Sequence, residues 1–111
     1  MLFEVRILIR TPTASDNAFW FSGHKAITIR EMTAACYGGT NVNWTLYKGA
    51  TLGSSTTTVH AANTTTAAEG NENQAPDTTP TVAADQWLNL DVNTVTGAVT
   101  AFSICLRFTI D

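Results

Sequence analysis

Apolar residues take alternate positions at the end of the chain. Phe102, Ile104, Leu106, Phe108 and Ile110 occupy every second place, with Ser103, Cys105, Arg107 and Thr109 between them. Side chains of a strand point to opposite faces in turn, so the spacing predicts a long β-strand over 97–110 with one apolar and one mixed face. A helix would scatter the same residues around its whole circumference. With Asp111 closing the sequence, this strand is expected to lie inside the sheet.

The alternation recurs at 2–10, where Phe3, Val5, Ile7 and Ile9 oppose Glu4, Arg6 and Arg10 and only Leu8 breaks the pattern. Pro12 ends this strand because it brings no N–H to a ladder. A turn at Ser15-Asp16-Asn17 precedes a short strand at 18–21, and Gly23 turns the chain again. Residues 26–30 alternate and are β-branched. Residues 31–36 are too short and uncapped for a helix, and read as the same strand continued past a bulge near Glu31. Val42, Trp44 and Leu46 then face one way, with Asn43, Thr45 and Tyr47 facing the other. The glycine turn at 38–41 predicts a hairpin over 25–48. Leu88, Leu90 and Val92 mark the inner face of a strand at 86–92, and 93–97 predicts a second hairpin into the terminal strand.

Residues 51–80 differ in character. A strand is expected at 56–60, but 61–80 holds Thr, Ala, Asn and Gly with Pro76 and Pro80 and little to bury. The stretch at about 51–80 therefore reads as a long Thr/Asn-rich loop, functional, disordered or ordered by a partner, with part of it extended against a neighbour. About seven or eight strands and no helix predict one all-β domain over 1–111, an antiparallel β-sandwich or a barrel.

Composition narrows the role. Apolar residues at 44% supply a core, whereas charged residues at 14% fall well below the usual ~25%. Such a surface suits contact with other protein better than life as a free monomer kept apart by repulsion. The net charge is −3, and Arg6, Arg10, Lys25, Arg30, Lys48 and Arg107 are scattered, so no nucleic-acid partner is expected. No apolar run reaches the about 20 residues of a membrane helix, so no membrane is expected. Glu4, Arg6 and Arg10 interrupt any signal-peptide core, which predicts synthesis in a reducing cytoplasm. Cys36 and Cys105 accordingly read as part-buried free thiols, and with two distant histidines they form no zinc pattern.

Candidate chemistry is sparse. Trp20, Trp87, Tyr37 and Tyr47 are the candidate contacts for a partner protein or a glycan, Trp87 foremost because its parity opposes that of Leu88 and Leu90. Trp44 shares the inner parity and reads as core. His24 reads as a surface residue, and His60 as a solvated or core-satisfied one; neither has a marked nucleophile, so no catalytic residue is expected. Glu69, Glu72, Asp77 and Asp85 match no calcium-loop spacing and read as solvated, so neither metal nor cofactor is expected. The sequons at Asn43 and Asn63 read as accidental in an Asn/Thr-rich chain.

The segments from Gly38-Gly39-Thr40-Asn41-Val42-Asn43-Trp44 to Gly49, the closing Trp87-Leu88-Asn89-Leu90-Asp91-Val92, and 97–104 resemble small accessory structural proteins of tailed bacteriophages. Capsid decoration (cement) proteins and the β-sandwich heads of phage fibres are the nearest in style. That resemblance implies a jelly-roll-like sandwich without catalytic activity, acting at the virion surface as a trimer or another symmetric homo-oligomer. Its partners would be the major capsid protein or other virion subunits, with a fibre or tail-tip head as the alternative. A carbohydrate-binding module that recognises cell-surface glycans is the alternative from another class.

Overall fold

A computed structural model describes residues 1–51, 57–60, 64–69, 71–74 and 80–111, with 71–74 described by backbone alone. Among these residues lie ten strands: β1 (Phe3–Arg10), β2 (Asn17–Phe21), β3 (Ile27–Gly38), β4 (Asn41–Gly49), β5 (Thr57–Thr58), β6 (Thr64–Ala67), β7 (Asn71–Gln74), β8 (Thr81–Val82), β9 (Trp87–Thr96) and β10 (Val99–Ile110). The alternating segments at 2–10, 86–92 and 97–110 all form strands, as their period requires.

The pairing between strands is nested and antiparallel. β1 pairs with β10, β2 with β9, β3 with β7 and β8, and β4 with β5 and β6. One long hairpin has thus been wound over on itself. Pairing of β10 with β3 and of β9 with β4 then closes two sheets, β1-β10-β3 ending at β7 and β8, and β2-β9-β4 ending at β5 and β6. This is the winding of a jelly roll, a sandwich of two Greek keys.

The inner faces meet as the parity dictates. Ile29, Met32, Ala34, Phe102, Ile104 and Leu106 of the first sheet face Trp44, Leu46, Leu88, Leu90 and Val92 of the second, none more than 2% exposed. Each large side chain so buried contributes about 1.5–3 kcal/mol. The bulge expected near Glu31 is present: Arg107 stands opposite Glu31 but Phe108 opposite Ile29, which leaves Arg30 as the extra residue. Beside it Arg107 Nη1 donates to Glu31 Oε2 at 2.9 Å.

Neither expected hairpin forms. β3 and β4 belong to opposite sheets, as do β9 and β10, so both glycine turns are corners that carry the chain from one sheet to the other. Each of these strands already has partners on both sides, which leaves no edge for its sequence neighbour. The corners are built on left-handed backbone at Gly38, Gly39 and Gly97 (φ 78°, 64° and 80°). They also lie against one another. A Cβ on Gly97 would stand 2.9 Å from Thr40 N and 3.0 Å from Gly39 Cα, and one on Gly39 would stand 2.6 Å from Val99 Cγ2. The Thr40 amide donates to Thr96 O at 2.8 Å across the contact.

The stretch read as a loop at 51–80 carries β5, β6 and β7, which extend this chain's own sheets. Thr66, Val59 and His60 are fully buried there, so the stretch contributes to the core despite its polarity. Residues 52–56, 61–63, 70 and 75–79 of that expectation lie outside the described residues.

Both cysteines are free thiols. Cys36 opposes Phe102 on the inner face, whereas Cys105, three residues further along β10, is on the outer face. Strand parity therefore keeps them from forming a bridge within the chain. Burial raises the pKa of each thiol, with Glu69 adding to the effect at Cys36.

Candidate functional site

The outer face of β2, β9 and β4 gathers the groups that a partner would meet. Registers set them in rows: Phe21 beside Trp87, then Phe19 beside Asn89 beside Tyr47, then Asn17 beside Asp91 beside Thr45. One end is therefore aromatic, where the Phe21 and Trp87 rings lie 5.1 Å apart and Phe19 is 44% exposed. The other end is a neutral polar ladder. Asn93 Nδ2 donates to Asn43 Oδ1 and to Thr45 Oγ1, each at 3.0 Å, and Asn43 Nδ2 donates to Thr65 Oγ1 at 2.9 Å.

Between the two ends sit Asn89 and Asp91. Asn89 is only 4% exposed although it points outward, and its Oδ1, like Asp91 Oδ1, has no hydrogen-bond partner among the described residues. Burial raises the Asp91 carboxyl above its ordinary range, and a hydrogen bond from Asn89 offsets part of the rise. A carboxyl whose folded-state pKa is raised favours folding as pH falls through that pKa, and opposes it above. Asp91→Asn is thus expected to be more stable than the native chain at neutral pH. The gain should be less than about 1 kcal/mol, because the carboxyl keeps some contact with water. Urea midpoints at neutral and acidic pH check this: the gain must shrink as pH falls into the carboxyl range.

Of the four candidate contacts, the fold brings Trp87 and Tyr47 onto this face. Trp20 has the opposite parity and turns inward, its ring 5.5 Å from that of Phe108 and packed on the core. Tyr37 stands apart at the end of β3, 63% exposed. Phe19, Phe21, Asn89 and Asp91 complete the face and were not singled out from sequence. Their parity carried the signal, since Phe19 and Phe21 alternate against Trp20, and Asn89 and Asp91 follow Trp87.

The remaining polar candidates have local roles. His60 is buried: its Nε2 accepts from Leu46 N at 2.9 Å, which leaves the ring proton on Nδ1 to donate to Thr64 Oγ1 at 3.2 Å. His24 is exposed with Nδ1 2.5 Å from Asp85 Oδ1. The nearby Ser22 hydroxyl donates to Gln86 O at 2.8 Å, so it does not couple to that pair as a nucleophile would. Glu69 Oε1 accepts from Gly38 N at 2.8 Å and fixes the first corner. Asp77 lies outside the described residues, and Glu72 is described by its backbone alone. Among the described residues no three metal-ligating side chains come together.

No protein-family model matches the sequence, and none of the curated proteins matches it. Among solved structures, the chain is similar to one in the cyanophage Pam1 capsid asymmetric unit. The identity is 15%, the match covers 100% of this chain and 84% of that one, and the TM-score is 0.58. What the two share is a fold. Weaker likenesses extend to the Bacillus endospore appendages, a family of disulfide-linked pili (15% identity, 99% of this chain and 89% of that one, TM-score 0.46). Infectious bursal disease virus strain Gx gives another (13% identity, 99% and 33%, TM-score 0.47).

Proposed function

We propose that this chain is a structural protein of a virion, a decoration (cement) protein seated on the outer shell that bridges capsid subunits through protein–protein contacts. The observation carrying this reading is the end-to-end likeness of its jelly roll to a chain of the Pam1 capsid unit. The surface supports it. A face of mostly Asn and Thr side chains, aromatic at one end and with Asp91 between, suits docking on folded protein with few charges to strip of water. Trp87, Tyr47 and Phe19 are the proposed contacts with the major capsid protein, and Tyr37 is a second contact at the corner. The free thiols fit synthesis in a host cytoplasm. The role needs no catalytic group.

A direct test is co-fractionation. Particles from the source culture, purified on a density gradient, are expected to hold this chain in constant ratio to the major shell protein, and Trp87→Ala to lower that ratio. A chain that stays in the soluble fraction would contradict the reading.

One observation favours a second reading, a glycan-binding module: Phe19, Tyr47 and Trp87 surround two outward polar residues, Asn89 and Asp91. A glycan array read with the native chain and Trp87→Ala separates the two, since only the second reading expects binding there that the substitution abolishes.

A further inference from the structure

Each sheet has two edges, and among the described residues three of the four are built from short strands. β2 has five residues, β5 and β6 two and four, and β7 and β8 four and two. Short strands blunt an edge, because they offer few free backbone groups in a row. The fourth edge is β1, eight continuous residues without proline or bulge, whose one strand partner among the described residues is β10. Exposed apolar side chains collect at the same place. Met1, Leu2, Phe3 and Leu8 lie on or beside β1, and Ile110 follows on β10, at 95%, 41%, 41%, 55% and 47% exposure. Leu8, the one residue that breaks the alternation of the first strand, is therefore an exposed apolar group on the outer face.

We infer that β1 is a self-pairing edge, and that two copies of this chain join through antiparallel β1–β1 contact about a two-fold axis at Val5. The occupant is a second copy because the strand complements itself. A two-fold normal to the sheet sets residues of like parity opposite one another. Centred on Val5, it places Glu4 opposite Arg6 of the other copy, Leu2 opposite Leu8, and Phe3 opposite Ile7, with each pair made twice. Centring on Glu4 or on Arg6 would set like charges face to face. Centring on Ile7 would put Leu8 against Arg6 and leave Leu2 without a partner. Only the Val5 register joins opposite charges and apolar side chains at once. The contact is isologous and closes at two copies, one of the symmetric homo-oligomers that the phage resemblance implies. It would join two first sheets into one continuous sheet and leave the outer face of β2, β9 and β4 free on both copies.

The mass of the purified chain tests this without any particle, so the virion reading can fail while this inference holds, and the reverse. Sedimentation or light scattering over a concentration series is expected to give twice the chain mass. Leu8→Lys and Glu4→Arg each alter two symmetric pairs and should weaken the dimer on the order of tenfold or more. Glu4→Arg combined with Arg6→Glu restores opposite charges across the axis and should recover dimer that Glu4→Arg alone loses. Circular dichroism confirms that each variant folds, and Leu8, already exposed, gives the cleanest one. A native chain that remains single or forms a trimer, or a dimer that Leu8→Lys leaves intact, would overturn the inference.

Discussion

Gly97→Ala is expected to destabilise the fold far more than Gly23→Ala, although both glycines have left-handed backbone. The shared conformational penalty is about 1–2 kcal/mol for a residue with a Cβ. Gly23 (φ 98°) has nothing within 4 Å of the position a Cβ would take, so its cost should stop there. Gly97 meets backbone on the other corner at 2.9–3.0 Å, and backbone cannot rotate aside as a side chain can. Forcing those corners apart adds roughly 1–3 kcal/mol, the usual cost of overpacking. The total approaches half the stability of an ordinary domain, about 5–15 kcal/mol. Denaturant midpoints of the two variants measure the difference. Equal losses would mean that the corners do not touch, and that the sheets are joined in some other way.

Trp44→Ala should be costlier still, about 3–5 kcal/mol, as for other large aromatic truncations in a core. Trp44 is fully buried at the centre of the second sheet, its ring 4.6 Å from His60 and 6.1 Å from Phe102. Its Nε1–H donates to Thr66 Oγ1 at 3.0 Å, a hydroxyl that is itself fully buried. Through that bond and the His60 stack, Trp44 ties β5 and β6 to the core. Trp44→Phe keeps most of the volume but removes the donor, so it should lose about 1–3 kcal/mol, the cost of an unsatisfied buried partner. Unfolding followed by tryptophan-independent circular dichroism distinguishes the two. If Trp44→Ala were nearly neutral, Thr66 and His60 would not be part of the folded core.

Strands of alternating character were legible from sequence because one face of each packs toward the core: β1 (Leu8 aside), β9 and β10 all follow their period. The bulge near Glu31 was legible as a place where that period slips. What sequence left hidden was the partner of each strand. A glycine turn between two apolar alternations reads as a hairpin, and nothing local distinguishes a tight reversal from a step to the opposite sheet. The difference lies in Gly39 and Gly97 touching across nearly sixty residues of chain. Thr66 and His60 are polar, and residues 61–80 are mostly Thr, Ala, Asn and Gly, so the stretch reads as burying little. Thr66 and His60 are nevertheless buried, because Trp44 and Leu46 supply a donor to each, Nε1 to Thr66 and the Leu46 amide to His60. On the outer face, parity placed Trp87 correctly, but Phe19 and Asn89 join it only through the β2–β9 register, a pairing with no signal in either strand alone.

Cryo-electron microscopy of particles that carry this chain tests the central claim most directly. A decoration role predicts jelly-roll density at symmetry-related points on the outside of the shell, with the β2–β9–β4 face against capsid subunits and Trp87 and Tyr47 at the contact. Density confined to the tail, or none on the particle at all, would contradict it.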